Sequence, residues 1–333
     1  MRIRPSDTSQ SGQSAPVPAG LALFGGIIAI STASILIRFA QRDAPSLVIA
    51  AFRLTLATLL LLPWLLVRER ASLRRLSRAQ VAWNVFSGVL LAIHFASWIT
   101  SLEYTSVASS VVLVSTAPLF VAMLSPVTVR EPLTRNLLFG LLFALAGSTL
   151  VGMSDACVVE KGLACPSLEQ FFSGTAIKGD ALALIGAIAG SGYILIGRYL
   201  REKVDLVPYI SIAYGSAAVC LVVAGLSAGY SAAGYPARTY LWFILLAVVP
   251  QILGHSTLNW ALRHLPAAFV SISLLGEPVG SSVLAFAILG EQPGWIKILG
   301  ALLILTGIAV AARAGSKAHK GLPASSAPSI SRS

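Results

Sequence analysis

The sequence predicts an all-α polytopic membrane protein whose ten transmembrane helices form two inverted five-helix repeats. Three observations carry the prediction. The 333-residue chain is 56% hydrophobic and 11% charged, with a mean hydropathy of +0.81, outside the profile of soluble globular domains. Ten apolar runs lie along it, each close to the roughly 20 residues that a helix needs to cross a hydrocarbon core of about 30 Å. A shift of 160 positions also lays the chain on itself, so that Pro118, Glu131, Gly140 and Gly147 fall on Pro278, Glu291, Gly300 and Gly307, and Arg38 falls on Arg198. Each copy holds five runs, an odd number, so the second copy enters the bilayer upside down relative to the first.

The runs are solid rather than alternating, which makes them helices and not strands of a membrane barrel. A tail over 1–18, rich in Ser, Pro and Gln, is expected to be disordered. The first span, 21–40, is too long for a cleavable signal peptide and is expected to serve as its own insertion signal. The second, 46–67, carries Arg53 about two turns in, and the third, 81–101, is striped with polar residues. The fourth, 107–124, holds Pro118, and Pro126 blurs its end. The fifth, 136–153, contains Gly140 and Gly147, and the sixth, 179–200, contains the close-packing pair Gly186 and Gly190. Pro208 blurs the start of the seventh, 207–226, which includes Cys220. The eighth, 240–262, is striped like the third; the ninth, 266–289, holds Glu277 and Pro278; the tenth, 295–313, repeats the glycines of the fifth. The expected organisation is therefore a first repeat over 19–153, an external loop over 154–178, a second repeat over 179–313 and a second disordered tail over 314–333.

A net charge of +11 raises the question of a polyanionic partner, and charge placement answers it. Ten crossings put both termini on one side. That side holds Arg68, Arg70, Arg74, Arg75, Arg78, Arg130, Arg135, Arg198, Arg201, Lys203, Arg263 and Arg313, whereas Arg38, Arg42, Lys161, Lys178, Arg238 and Lys297 fall on the other. This is the positive-inside bias, with both termini cytoplasmic, and it leaves no need for nucleic acid. Cys157 and Cys165 share the external loop, where an oxidising compartment permits a disulfide. Two cysteines without a nearby histidine make an incomplete zinc site.

Polar residues within the spans carry the chemistry. Asn84, Ser87, His94, Ser97, Trp98 and Ser101 recur at helical steps on one face of the third span, and Gln251, His255 and Asn259 do so in the eighth. Polar groups in hydrocarbon are costly and turn to protein or water, so the stripes either line a cavity or join helices through hydrogen bonds; their coincidence under the repeat favours a cavity, with Thr116 beside it. Arg53 can snorkel, pair with a carboxylate or bind an anionic group. Glu277 is either a structural carboxylate or a proton-titrating or cation-binding group. Pro118 and Pro278 interrupt helix bonding at equivalent places and are candidate hinges. Trp98, Trp260, Tyr193 and Phe120 offer stacking surfaces.

The stretch AFRLTLATLLLLP resembles the second span of the EamA family of the drug/metabolite transporter superfamily. So does HFASWITSLEYTSVASSVVLVSTAPLFVAMLSPVTVREPL, with its polar-aromatic third span, Pro118 and Glu131. NWALRHLPAAFVSISLLGEPVGSSVLAFAILGEQP is similar to the second repeat of that family, with Glu277-Pro278 and Gly290-Glu291. The resemblance covers nearly all of 20–313. It implies a ten-helix inverted-repeat carrier of the bacterial inner membrane, exporting small metabolites such as amino acids by alternating access. Arg130-Glu131 in place of Gly-Glu and the long cysteine-bearing loop are departures from the family pattern. Neither fixes a substrate.

The hydroxyl, amide, imidazole and aromatic groups of the cavity suit a small amphipathic zwitterion, with protons as a candidate coupling ion, carried by a monomer or a homodimer. Glu277 keeps an organic-cation efflux carrier as an alternative. A membrane-embedded enzyme is the competing class, but the chain lacks HExxH, GxSxG or a comparable signature, and no cofactor motif is evident.

Overall fold

The computed structural model describes residues 18–101, 103–105, 107–156, 175–290 and 292–320. The proposed disulfide partners Cys157 and Cys165, and the repeat residue Glu291, lie outside these. Among the described residues, nine helices are long and apolar enough to cross a membrane, and a shorter apolar helix, Val112–Thr128, supplies the fourth of ten spans. No strand occurs among the described residues.

The ten spans run Ala19–Ala40, Ser46–Arg68, Arg78–Ser101, Val107–Val114 continuing as Ala117–Thr128, Arg135–Met153, Ala176–Arg201, Leu206–Ser227, Ala237–Ala261, Ala267–Ile288 and Trp295–Arg313. One end of the bundle gathers Arg68, Arg78, Arg135, Arg201 and Arg313 and is called the basic end below. Ala40, Ser101 and Ala237 mark the opposite end.

The fourth and ninth spans each restart as a new helix, at Ala117 and at Glu277. Pro118 and Pro278 stand in the first turn of those second halves, where a missing N–H leaves no helical bond unmade. The kinks read from the sequence are therefore breaks. Each break is held by the same device twice over. Ser191 Oγ in the sixth span shares its hydrogen between Ala187 O of its own helix at 2.7 Å and Ala117 O at 2.9 Å, and Ser31 Oγ in the first span shares its own between Ile27 O at 2.8 Å and Glu277 O at 3.3 Å. Both serines are fully buried, and they are mates across the repeat, as are the two acceptors.

The fifth and tenth spans cross through the glycines that reveal the repeat. A Cβ placed on Gly140 would stand 2.6 Å from Gly307 O, and one on Gly147 would stand 2.5 Å from Gly300 O. The reverse contacts, Gly300 to Gly147 O and Gly307 to Gly140 O, are 2.7 and 2.5 Å. Each glycine thus meets the mate of the other, which is what a two-fold axis in the plane of an inverted repeat requires. Without a hydrophobic force between helices in lipid, such backbone approach is a main source of packing energy.

The third span packs on the sixth and the first on the eighth, again as equivalents. Here the copies exchange bulk. A Cβ on Gly190 would meet the His94 ring at 2.8 Å, and at the mated contact a Cβ on Gly254 would meet Ile30 at 2.5 Å. Histidine fills the space in one copy and isoleucine fills it, from the other helix, in the second.

The basic end is braced by charge. Glu131 Oε1 receives the Arg198 Nε hydrogen at 2.5 Å, and Oε2 receives the Ala267 N–H at 2.8 Å. Arg198 also donates to Leu262 O at 3.0 Å. One carboxylate, 15% exposed, so ties the fourth, sixth, eighth and ninth spans together. Beneath this brace the halves Ala117–Thr128 and Ala267–Leu274 pack on each other.

Substituting Gly147 by leucine is expected to lower the melting temperature of detergent-purified protein, because overpacking costs about 1–3 kcal/mol or more. Gly25→Leu, where nothing stands within 4 Å of a new Cβ, is expected to melt like the parent. Equal melting of both variants would contradict the crossing.

Candidate functional site

The middle of the bundle holds a polar cluster built from six spans. Arg53, in the second span, is 1% exposed. Its Nε donates to Gln251 Oε1 of the eighth span at 2.7 Å, and its guanidinium lies 4.5 Å from the centroid of Phe95 in the third. A snorkelling arginine would reach the headgroups; this one points inward. The Glu277 carboxylate acts on it through space, with no hydrogen bond between them.

His255 meets Phe95 edge-on at 5.6 Å, and His94 lies 5.1 Å from the same ring. His94 Nδ1 donates to Gly186 O at 2.8 Å, so the ring is held at one nitrogen. Trp98 stacks on His94 at 6.0 Å. The eighth span reaches the cluster through a π-helical segment, Ala247–His255, followed by the helix Ser256–Ala261. Such widened turns change which residues share a face, and this one carries both Gln251 and His255.

Below the arginine, Asn259 Nδ2 donates to the Tyr193 hydroxyl at 2.6 Å and to His255 O at 2.7 Å. The Tyr214 hydroxyl sits 3.3 Å from Ser256 Oγ, and the Tyr209 hydroxyl 2.9 Å from Ser87 Oγ. Several buried atoms of the cluster have no hydrogen-bond partner among the described residues: Arg53 Nη2, Gln251 Nε2, His255 Nδ1, Asn259 Oδ1 and Trp98 Nε1. An unmade hydrogen bond costs about 1–3 kcal/mol for each buried group, so a run of them in one place marks a site built to meet something else.

A cleft of about 580 Å³ leads inward from the end opposite the basic one. Arg38, Gln41, Asp43 and Glu103 stand along it, and Trp98 and Ile99 form its inner part. Its polar wall therefore carries both signs of charge and ends on the tryptophan stacked against His94.

The EamA-like transporter family matches residues 18–153 and 177–313, once for each repeat. The chain belongs to the EamA-like transporter family. It is thereby placed in the drug/metabolite transporter superfamily, as a multi-pass membrane protein. The pseudopaline exporter CntI of Pseudomonas aeruginosa (strain UCBPP-PA14) is 25% identical over 292 residues, covering 87% of this chain and 93% of that protein. A probable terminal-alkyne amino-acid exporter of Streptantibioticus cattleyicolor is 40% identical over 62 residues, 19% of this chain and 21% of that protein. A solved crystal structure shares the fold with a TM-score of 0.73 at 18% identity, covering 90% of this chain and 98% of the other.

Of the residues singled out from the sequence of this EamA protein, Arg53, His94, Trp98, Gln251, His255, Asn259 and Glu277 converge on the cluster. Asn84 does not. It is fully buried with neither side-chain atom partnered among the described residues, but it lies ten positions before His94 on one helix, about 15 Å along the axis. Thr116 spends its hydroxyl on Leu113 O at the helix break, at 2.6 Å. Trp260 packs against His264 at 4.5 Å near the basic end, while Tyr193 does join the cluster. The sequence reading missed Phe95, which looks like any apolar position, and Tyr209 and Tyr214. Two tyrosines five apart inside an apolar span were the available signal for the latter.

At the mouth of the cleft, Asp43 accepts hydrogen bonds from Arg238 Nη2 at 3.1 Å and Thr239 Oγ1 at 2.7 Å. These bonds, Arg238 first, hold its carboxyl below the usual carboxylate range. A group whose folded value is depressed contributes stability that is present above its unfolded value and lost as pH falls through the folded one. The melting-temperature gap between the parent and Asp43→Asn is therefore expected to be widest near neutral pH and to close as pH drops below about 4. A gap that does not change with pH would contradict this role.

Proposed function

We propose that this EamA protein exports small metabolites, amino acids and related amphipathic solutes, across the bacterial inner membrane by alternating access. In this reading the basic end and both termini are cytoplasmic, as the positive-inside bias supports, and residues 19–153 and 179–313 are the two moving repeats joined by an external loop over 154–178. The observation that carries the proposal is the position of the polar cluster. It lies between a cleft that opens at one end and a charged brace that closes the other, at the level where inverted repeats place their substrate. The breaks at Pro118 and Pro278 flank it and supply hinges.

The lining supports the cargo class. Phe95, Trp98 and Tyr193 give apolar and stacking surface, and the amides and imidazoles beside them give the few placed polar groups of a small-molecule site. Two relatives, a pseudopaline exporter and a probable terminal-alkyne amino-acid exporter, agree with export. Glu277 supports two additions: coupling to protons, and an organic cation as the second reading of the cargo. The buried positive charge of Arg53 opposes the latter by like-charge repulsion. The carrier acts as a monomer or a homodimer, needs no nucleic acid, and the family's transporters point away from catalysis.

The test is counterflow in proteoliposomes. Labelled amino acids are expected to enter vesicles preloaded with the same unlabelled solute, saturably and faster than into empty vesicles. Absence of protein-dependent movement across a full panel of amino acids and related metabolites would overturn the proposal. Flux that neither saturates nor responds to preloading would replace the carrier with a channel.

A further inference from the structure

Arginine has only donors, so the Gln251 atom facing Arg53 Nε at 2.7 Å must be the amide oxygen. That assignment leaves Gln251 Nε2 as a donor not used by the arginine. Nε2 and Arg53 Nη2 are then two donors on neighbouring groups, both fully enclosed, and neither has a partner within 3.5 Å among the described residues; the Tyr214 hydroxyl lies near the Gln251 amide at longer range. Arg53 is 1% exposed and Gln251 0% exposed, so water from the bulk does not reach them. The ring of Phe95 occupies one face of the guanidinium and leaves its edge for recognition.

We infer that Arg53 and Gln251 form a carboxylate-binding fork at the centre of the bundle, and that the cargo is an α-amino acid held as a zwitterion between this fork and Glu277. This rests on the transport reading above and names its substrate class. With Nε spent on Gln251, Arg53 Nη2 and Gln251 Nε2 offer one donor to each oxygen of a carboxylate, and the bond from the charged donor is the stronger of the two. Glu277 stands at the ninth-span break fastened by Ser31, close enough to Arg53 for their charges to interact, and its carboxylate makes no hydrogen bond or ion pair among the described residues, which leaves it to receive an ammonium group. Asn259 Oδ1, also buried and unpartnered, is a further acceptor in the same cluster. The cleft also carries both signs of charge, with Arg38, Asp43 and Glu103 among its lining residues. A zwitterion enters such a field without net repulsion from either sign.

The experiment measures binding to detergent-purified full-length protein by thermal shift and by calorimetric titration. The probes are the twenty L-α-amino acids, and for each one that binds, its carboxamide, its decarboxylated amine and its deaminated acid. At least one amino acid is expected to bind. Its carboxamide and amine are expected to bind about a hundredfold or more weakly, because a site built to bond a group rejects analogues lacking it. The deaminated acid should also be weakened, through the loss of the contact to Glu277. Gln251→Glu keeps an oxygen for Arg53 Nε but replaces the free donor with a second carboxylate oxygen; it should fold, as its unliganded melting shows, and lose amino-acid binding by a similar factor. Arg53→Lys, with a point charge in place of the planar edge, should do the same.

Carboxamides or amines that bind as tightly as the acids would overturn the fork, as would a folded Gln251→Glu that binds amino acids unchanged. Transport of solutes lacking a carboxylate, with no amino acid bound, would refute the fork and leave export standing. Absence of transport for every solute would refute both.

Discussion

A guanidinium shut away from water in the middle of a membrane protein organises this molecule. Bulk hydrocarbon offers nothing to such a charge, so the bundle must supply an acceptor, an aromatic face and a counter-charge from three different helices. Gln251, Phe95 and Glu277 do so, and they come from the eighth, third and ninth spans. The second span therefore cannot be displaced without breaking contacts to both repeats. The unpartnered polar atoms around Arg53 lie where these helices converge, which puts the groups left for a solute beside the charge that organises the bundle.

The repeat supplies the frame in which that convergence is possible. Where the fifth span crosses the tenth, each glycine meets the mate of the other, and Ser31 and Ser191 fasten the two breaks by the same bond. These positions are identical because the two copies make the same backbone contacts. Where a side chain must do something only once, the copies diverge. His94 occupies the space opposite Gly190, and its counterpart Gly254 yields that space to Ile30. Arg53 and Glu277 have no identical partner under the 160-residue shift. An inverted repeat thus gives two equivalent hinges and two equivalent packing seams, while charge is placed asymmetrically at the centre.

Much of this was legible in the sequence. The ten spans, their pairing across the repeat and most of the central cluster follow from hydropathy and from polar residues recurring at helical spacing, because lipid makes the cost of a misplaced polar group large enough to read. What escaped was set by geometry between helices. Helical spacing puts Asn84 and His94 on one face but does not say that their separation along the axis leaves only His94 at the cluster. The π-helical segment over Ala247–His255 contains Pro250, which announces interrupted helical bonding but not that the turn widens. Phe95 matters only because Arg53 lies over it, and an apolar residue in an apolar span carries no mark of that. Thr116 looked like a lining residue, yet the helix break beside it takes its hydroxyl.

The central claim is that the atoms left unpaired around Arg53 are the solute site. It is tested most directly by a structure of the protein determined with a transported amino acid bound. The account predicts the carboxylate of the solute about 3 Å from Arg53 Nη2 and Gln251 Nε2, with its ammonium group toward Glu277. A solute bound elsewhere in the bundle, with Arg53 still held only by Gln251 and Phe95, would contradict it.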